Sequence, residues 1–512
     1  MSMFLPFLLA LPLLFLVFLS LKNIKKGYEK PRNNKNLPPG PPKLPFIGNL
    51  HQFSTTSSLN HRRLHQLSMR YGPLMSLQLG SKPTVVISSA RIAREVLKTH
   101  DLEFASRPSF VCQQKLSYGG HDIAFAPYGE CWRELRKICI TELFNTKRVQ
   151  SFRCIREDEI FQLIKSISGQ LAASSSTPVN LTDVALALSN NIICRIAFGK
   201  TFQHESCYKC SFSQLLKEAQ ALFVSFAFAD YFPSLGWVFD ILSGLPRRLE
   251  RNFQGLDLFY SQVIEEHLDP KRPKPQEEDI ADVLLRMHKD HSSSLHLKME
   301  HIKALFMNIF IAGTDTTAAT VVWAMSELAK KPIAMKKVQD ELRSLVGNKG
   351  HIDEDDVNQL HYLKYVVKET LRLHPPTPLL LPRETINHCK IDGYDIYPKT
   401  QVFVNGWAIG MEPEIWKNPE EFIPERFIDG SVDFKGQHFE FIPFGSGRRI
   451  CPGMHVGVAT VELILANLLY SFNWELPDGM KNEDIHMDEL PGITVKKKTP
   501  LLLLAINTYN EF

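Results

Sequence analysis

The segment Phe441–Gly457, FIPFGSGRRICPGMHVG, restricts what this chain can fold into more than any other stretch. Gly445, Gly447, Gly453 and Pro452 crowd one cysteine, Cys451, and an apolar run of helical character, VGVATVELILANLLY, follows. The pattern predicts a tight loop that delivers a sulfur at the start of a helix. A thiolate ligand needs positive neighbours and backbone N–H donors to stay deprotonated; glycines let the main chain come close, and a helix N-terminus adds its dipole. The plainer alternative is a buried structural cysteine in a glycine-rich turn. His455, four residues on, does not make a zinc pair persuasive, because a structural zinc needs about four ligands and no second cluster accompanies it. The other cysteines bring the count to nine, odd and scattered over 512 residues, which predicts free thiols in a reducing compartment. Cys207 and Cys210 form an isolated C-x-x-C to which no role is assigned.

Residues 302–329, IKALFMNIFIAGTDTTAATVVWAMSELA, predict a long, largely apolar helix interrupted halfway by Gly313, Thr314, Asp315, Thr316 and Thr317. Polar groups in a buried helix need partners, so this break marks a bend made by hydroxyl back-bonding, a site, or both. Glu369 and Arg372 in KETLR have the i, i+3 spacing of a helical ion pair. SLQLGSKPTVVISS (76–89) predicts two short strands around a turn, and 90–100 a helix; helical patterns dominate from 130 to 345. The polar stretches 168–178 and 269–279 are expected to be exposed connections, without a composition shift that would divide the chain. The expectation is one large domain, mainly α with a small β lobe.

The chain starts differently. Met3–Leu21 carries no charge over 19 residues, about 28 Å as a helix, close to the thickness of a bilayer core. No positive residue precedes it and no small-x-small site follows, which favours a membrane anchor over a cleaved signal. Lys22 to Lys43 then holds a net charge of +6, leaving −2 for the remainder. Positive charge gathers on the cytoplasmic side of a first membrane helix, whereas a nucleic-acid-binding surface would be basic well beyond one segment. LPPGPPKLPFIGNL (37–50) cannot be helical and is expected to be a stiff tether. The expected division is therefore 1–21 anchor, 22–50 basic and Pro-rich tether, and 51–512 catalytic domain.

Phe444, Gly447, Arg449, Cys451 and Gly453 fit F-x-x-G-x-R-x-C-x-G, which resembles the haem-binding signature of the cytochromes P450. The ordered set PPGPP, AGTDTT, ETLR, PERF and FGSGRRICPG resembles the plant A-type microsomal members. SYGG, LFNTKRVQSFR, IICRIAFGK, TVVWAM and VDFKGQHFE are similar to the branch containing aldoxime-metabolising enzymes. The resemblance implies the cytochrome P450 fold, haem b ligated by Cys451, and an endoplasmic-reticulum membrane protein whose catalytic body faces the cytosol. Electrons would come from NADPH through NADPH-cytochrome P450 reductase, a flavoprotein, with Arg448 helping to dock it. Molecular oxygen and a small hydrophobic substrate are implied, and no nucleic acid.

The same resemblance implies roles residue by residue. Arg136, Arg383 and Arg449 would hold the haem propionates, guanidinium being the fork-shaped partner suited to a carboxylate, with Trp132 joining Arg136 at the haem from the same helical face and Phe444 beside the haem. Glu369, Arg372 and Arg426 would brace the cysteine loop. Thr316, assisted by Asp315, would guide protons to the oxygen being activated. Substrate-facing positions would be Phe110, Val111, Asn308, Ile309, Ala312, Thr377, Leu379, Leu380 and Ile493. The implied activity is monooxygenation of a terpenoid, alkaloid or phenolic. Alternatives are aldoxime metabolism, a haem-thiolate isomerase or dehydratase, and a haem carrier; retention of Asp315 and Thr316 argues against the isomerase.

Overall fold

The computed structural model describes residues 36–53, 59–174, 176–202, 212–273, 275–290, 296–347, 349–477 and 479–508. The expected anchor, the tether as far as 35, and Cys207 and Cys210 lie outside them. The strands are β1 (Leu74–Leu79), β2 (Lys82–Ile87), β3 (Val179–Asn180), β4 (Arg383–Glu384), β5 (Cys389–Ile391), β6 (Tyr394–Ile396), β7 (Gln401–Val404), β8 (Phe472–Glu475), β9 (Glu489–Leu490), β10 (Lys496–Lys497) and β11 (Leu502–Asn507). β1 and β2 are the predicted hairpin, in register from Leu74↔Ile87 to Leu79↔Lys82. β2 runs parallel to β7, and β4 closes the sheet in the order β1-β2-β7-β4. β5 pairs with β6, β9 with β10, and β11 lies between β3 and β8.

The proline-rich stretch is extended as expected only as far as Lys43; at Leu44–Gly48 it folds back on itself in a tight turn, and the whole stretch is sewn to β1 in place of standing off as a tether. Ser76 donates from its backbone N–H to Pro39 O (2.7 Å) and from its hydroxyl to Pro38 O (2.7 Å). Asn49 Nδ2 donates to Pro42 O at 3.0 Å. A Cβ on Gly40 would lie 1.9 Å from Ser76 O, so only glycine fits this crossing.

The principal helices are α1 (Asn60–Tyr71), α2 (Ala90–Arg94), α3 (Val111–Leu116), α4 (Glu130–Ile138), α5 (Arg153–Ala173), α6 (Leu181–Phe198), α7 (Phe212–Phe223), α8 (Gly236–Leu242), α9 (Leu245–Leu268), α10 (Ile280–Lys289), α11 (Met299–Lys330), α12 (Pro332–Val346), α13 (Tyr362–Leu373) and α14 (Met454–Ser471). α11 is the predicted long helix, extended slightly at both ends. It stops at Lys331 because Pro332, the first residue of α12, disfavours helical geometry in the residue before it. α6, α11 and α14 are apolar and long enough to cross a membrane, yet α6 and α14 both pack on α11 in the buried centre of the body, which is what a helix apolar on all sides does in a large domain. The connection expected at 168–178 is shorter than predicted: α5 runs to Ala173, because Ile167 and Leu171 keep helical spacing against the core. The connection at 269–279 is as expected, and Asp279 caps α10 by accepting from the N–H of Asp282 at 2.8 Å.

Candidate haem and substrate site

The cysteine loop is shaped by its glycines. Gly445 (φ 72°) and Gly447 (φ 70°) are left-handed, and a Cβ on Gly447 would meet Asp101 Oδ1 at 2.4 Å and Leu97 O at 2.5 Å. After a single turn at Gly447–Arg449, Cys451 donates its N–H back to Phe444 O at 3.0 Å, and α14 begins at Met454. Burial pushes the Cys451 thiol up, while the N–H of Gly453 and the charge of Arg136 pull it down.

The sulfur faces a cavity of about 320 Å³ between α11 and the cysteine loop. Its walls are mostly apolar, including Ile123, Phe125, Ile193, Phe223, Ile309 and Val461, but Arg107, Arg136, Arg383 and Arg449 line it too. All four guanidinium side chains are buried. Arg136 donates to Ile450 O. Arg383 donates to Ser446 O at 2.9 Å and reaches Asp101 Oδ1 at 3.4 Å. Arg449 donates to Ala105 O (2.7 Å) and Ala126 O (2.7 Å). Arg107 donates to Ala124 O (2.9 Å) and Leu381 O (2.6 Å). Burial and the charge of Arg383 push Arg449 down to about 9, against the pull of Asp122; burial and the charge of Arg449 lower Arg107 well below the usual guanidinium range. Such a cluster, with Asp101 and Asp122 the acids acting on it, is short of negative charge and accommodates two further carboxylates. A flat, largely apolar cofactor with two carboxylates and a metal facing Cys451 fits this set of donors.

Behind the loop, Glu369 and Arg372 of α13 are paired through two bonds of 2.8 Å, both side chains fully buried. Arg372 also donates to Gly410 O (2.7 Å), Pro419 O (2.7 Å) and Glu421 O (3.1 Å). Arg426 Nε reaches Glu369 at 3.1 Å, which completes the expected triad. Trp416, Phe427 and Phe441 then pack in series with their rings tilted by about 50° to one another, which carries this knot to the residue where the cysteine segment starts.

Across the cavity, α11 turns its broken stretch inward. Thr316 Oγ1 donates to Ala312 O at 2.5 Å, and Thr320 Oγ1 to Thr316 O at 2.8 Å, the back-bonding anticipated from the sequence. Gly313 gives room for Ile193, whose Cδ1 would lie 2.6 Å from an added Cβ. Asp315 is buried and ion-paired with Lys496 of β10.

Of the anticipated positions, Arg136, Arg383, Phe444, Arg449 and Cys451 line the cavity, as do Thr316, Asn308, Ile309, Ala312, Thr377, Leu380 and Ile493. Asn308 has its amide occupied: Oδ1 accepts from the N–H groups of Ile123 (3.1 Å) and Ala124 (3.2 Å), and Nδ2 donates to Asp122 at 2.8 Å. Trp132 and Asp315 stand behind the wall. Trp132 donates to Ile123 O at 3.0 Å and lies 4.0 Å from the guanidinium of Arg449, supporting the arginine. Phe110, Val111 and Leu379 are not on the lining. Phe110 packs toward Tyr231, Val111 starts α3 with its N–H bound to Asp230 (2.9 Å) and its side chain outward, and Leu379 packs under the first sheet. Unforeseen lining residues include Arg107, Phe125, Ile193, Phe223 and Thr494; Arg107, in FASRPS, carries no spacing signal that singles it out. Among the described residues, two other groups of potential metal ligands are explained by internal contacts. His301 Nδ1 accepts from the N–H of Lys298 at 3.1 Å beside Cys131 and His121, and Arg272 occupies Asp279 and Asp282.

A family model for cytochrome P450 matches residues 38–504. Strychnine-11-hydroxylase of Strychnos nux-vomica is 50% identical over 98% of this chain and 97% of its own length. Cytochrome P450 71A9 of Glycine max is 50% identical over 96% of this chain and 97% of its own. Among solved structures, a zebra fish cytochrome P450 with abiraterone superposes with a TM-score of 0.73 at 26% identity, covering 89% of this chain and all of that one. With a thiol at the mouth of a glycine-built loop, buried arginines short of carboxylates, and these relatives over almost its whole length, the chain belongs to the cytochrome P450 family, in its plant A-type branch, as a monooxygenase with cysteine-ligated haem b.

Proposed function

We propose that this chain hydroxylates a small hydrophobic plant specialised metabolite of the terpenoid, alkaloid or phenolic class, with electrons from NADPH-cytochrome P450 reductase. The observation that carries this reading is the cavity itself: thiol on one side, Thr316 on the other, and apolar side chains between them. Bound there, thiolate haem supplies the one-electron and oxygen chemistry. The residues of the chain do the rest. Arg136, Arg383 and Arg449, with Arg107, hold the cofactor's carboxylates, and Trp132 supports Arg449. The N–H of Gly453 and the charge of Arg136 favour the thiolate of Cys451. Glu369, Arg372 and Arg426 keep the loop in register. Thr316 exchanges its bond to Ala312 O for a proton passed inward, and Asp315 resupplies it. Ile309, Ala312, Leu380 and Ile493 shape the apolar slot and exclude water. With the amide of Asn308 occupied, substrate orientation rests on shape more than on hydrogen bonds.

The body is proposed to sit on the endoplasmic-reticulum membrane through a single span at 1–21, joined by a basic tether at 22–35 to a cytosolic catalytic body to which the proline-rich stretch from Asn36 onward already belongs. Exposed apolar residues support it: Phe46 and Ile47 near the chain start, and Trp237, Ile241 and Leu242 on α8. They share one side of the body, because Ile47 O accepts from the N–H of Gly80, and Ser81 donates to Tyr231 O at 2.8 Å, just before α8.

The test is product formation by microsomes carrying this protein and the reductase, given NADPH, labelled oxygen, a panel of alkaloids, terpenes, phenolics and aldoximes, and a thiol trap. A labelled hydroxylated product supports the proposal. A thiol adduct from an aldoxime, or turnover without NADPH, overturns it in favour of aldoxime metabolism or isomerisation. Alkaloids head the panel because a 50%-identical relative is named a strychnine hydroxylase. Cys451→Ala abolishes the reduced, CO-bound absorption band while membrane insertion persists.

A further inference from the structure

Asp315 belongs to the stretch of α11 that borders the cavity, yet its carboxylate turns away from it. With its side chain only 4% exposed, it pairs with Nζ of Lys496, whose side chain is 34% exposed. Lys496 stands on a fixed mount. Its strand pairs with β9 through Lys496↔Leu490 and Lys497↔Glu489. Glu489 is gripped by Arg62 through bonds of 2.9 and 3.0 Å, and His61 lies 3.2 Å from it. Val495 donates its N–H to Pro376 O at 2.8 Å and accepts at its carbonyl from Trp323 Nε1 of α11 at 3.4 Å. The ammonium position is therefore set by main-chain bonds on both sides of the hairpin, in contrast to the free swing of a surface lysine.

A carboxylate this deeply buried is costly to keep charged without a counter-ion. An ammonium has three donors; one meets Asp315 here, and partial exposure leaves the group in touch with water. We propose that Lys496 is the positioning residue for Asp315, holding the carboxylate in one orientation at the inner end of a short path from solvent. The inference rests on the proton role proposed above for Asp315 and Thr316. One passage brings a proton from water to Asp315, moves one from Asp315 to the Thr316 hydroxyl, and sends that hydroxyl's own proton inward. Each oxygen of the chain gains one proton and loses one, and all electrons come from NADPH through the reductase.

The test uses the full-length holoprotein with its reductase and no added substrate, so no ligand has to be identified. Oxygen then leaves as hydrogen peroxide, at one NADPH and one proton per O2, or as water, at two NADPH and two protons per O2 for the second pair of electrons to be used. Lys496→Met lowers the water share about threefold or more, Lys496→Arg keeps it near wild type, and Asp315→Asn with Lys496→Met is no worse than Asp315→Asn alone, the non-additivity of residues acting as a unit. The reduced CO band stays normal in each, which excludes simple loss of the haem site. A second readout needs no turnover: amide hydrogen exchange across 489–497 in the resting protein rises equally in Lys496→Met and Asp315→Asn and no further in the double variant. A wild-type water share and wild-type exchange in Lys496→Met, with Asp315→Asn impaired, overturn the Lys496 proposal alone. A wild-type water share in Asp315→Asn overturns the proton role of Asp315, and the Lys496 proposal with it.

Discussion

At the scale of single residues, Arg372 has more dependents than any one role suggests. It answers the fully buried Glu369 with two bonds and closes three carbonyls from the 410–421 segment. Removing one partner of a buried pair leaves an uncompensated charge at a cost of about 3–5 kcal/mol. Arg372→Ala is expected to express without haem, read as a lost CO band and a lowered unfolding midpoint. Arg372→Lys is expected not to rescue it, since an ammonium cannot reproduce the planar fork that serves five oxygens. Both partners were legible from i, i+3 spacing, and Arg426 from the resemblance. The carbonyls were not, because nothing local to KETLR announces a segment some forty residues on.

Glu462 on α14 gives a pH signature of its own. Burial pushes its carboxyl from 4.5 up to about 7, against the opposing charges of Lys364 and Lys368. The folded chain keeps this proton to about pH 7, whereas the unfolded chain releases it near the ordinary value, so the unfolded state binds fewer protons in that window and stability falls as pH rises through it. The expected loss is roughly 2 kcal/mol after allowance for screening. Thermal unfolding measured from pH 5 to pH 8 should show Glu462→Gln with a flatter profile than wild type and the higher midpoint at the alkaline end.

At the scale of elements, the legible features were those written in local periodicity. α11 and the β1–β2 hairpin follow apolar spacing and turn chemistry, and the cysteine loop follows its glycines. The end of α5 was misplaced because its serines and Gly169 look like a connection, while Ile167 and Leu171 continue to be buried through them. The positions of Phe110, Val111 and Leu379 were not legible either. Whether an apolar side chain looks into a cavity or into a neighbouring core depends on elements distant in sequence, here the 228–231 turn and the first sheet. Gly447 offers the sharpest element-level prediction. Its φ of 70° and the 2.4 Å approach of Asp101 leave no place for a methyl group. Gly447→Ala should therefore lose haem, whereas alanine at Gly430, also left-handed but with open space at its Cβ, should shift the unfolding midpoint only slightly; haem content per protein separates the two.

For the whole molecule, the proline-rich stretch belongs with the body from Asn36 onward, because Pro38, Pro39 and Asn49 are bonded across to β1. The sequence made its extended form legible through proline chemistry, but not its docking, which depends on Ser76 meeting it from the far side of Gly40. Gly40→Ala is expected to free this segment: limited proteolysis should cut near 36–45 in the variant and spare the wild type, with the CO band retained.

That stitching also decides where a mechanical load would enter. Any tug on the chain ahead of Asn36 is met first by Asn36 itself, bonded to Gly393 O at 2.9 Å and accepting from the N–H of Asp395 at 2.7 Å, then reaches Ser76 on β1, whose sheet runs through β2 and β7 to β4, where Arg383 begins its strand. A guanidinium at the rim of the cavity is thus the last link of a cable whose first links are an asparagine and a pair of prolines.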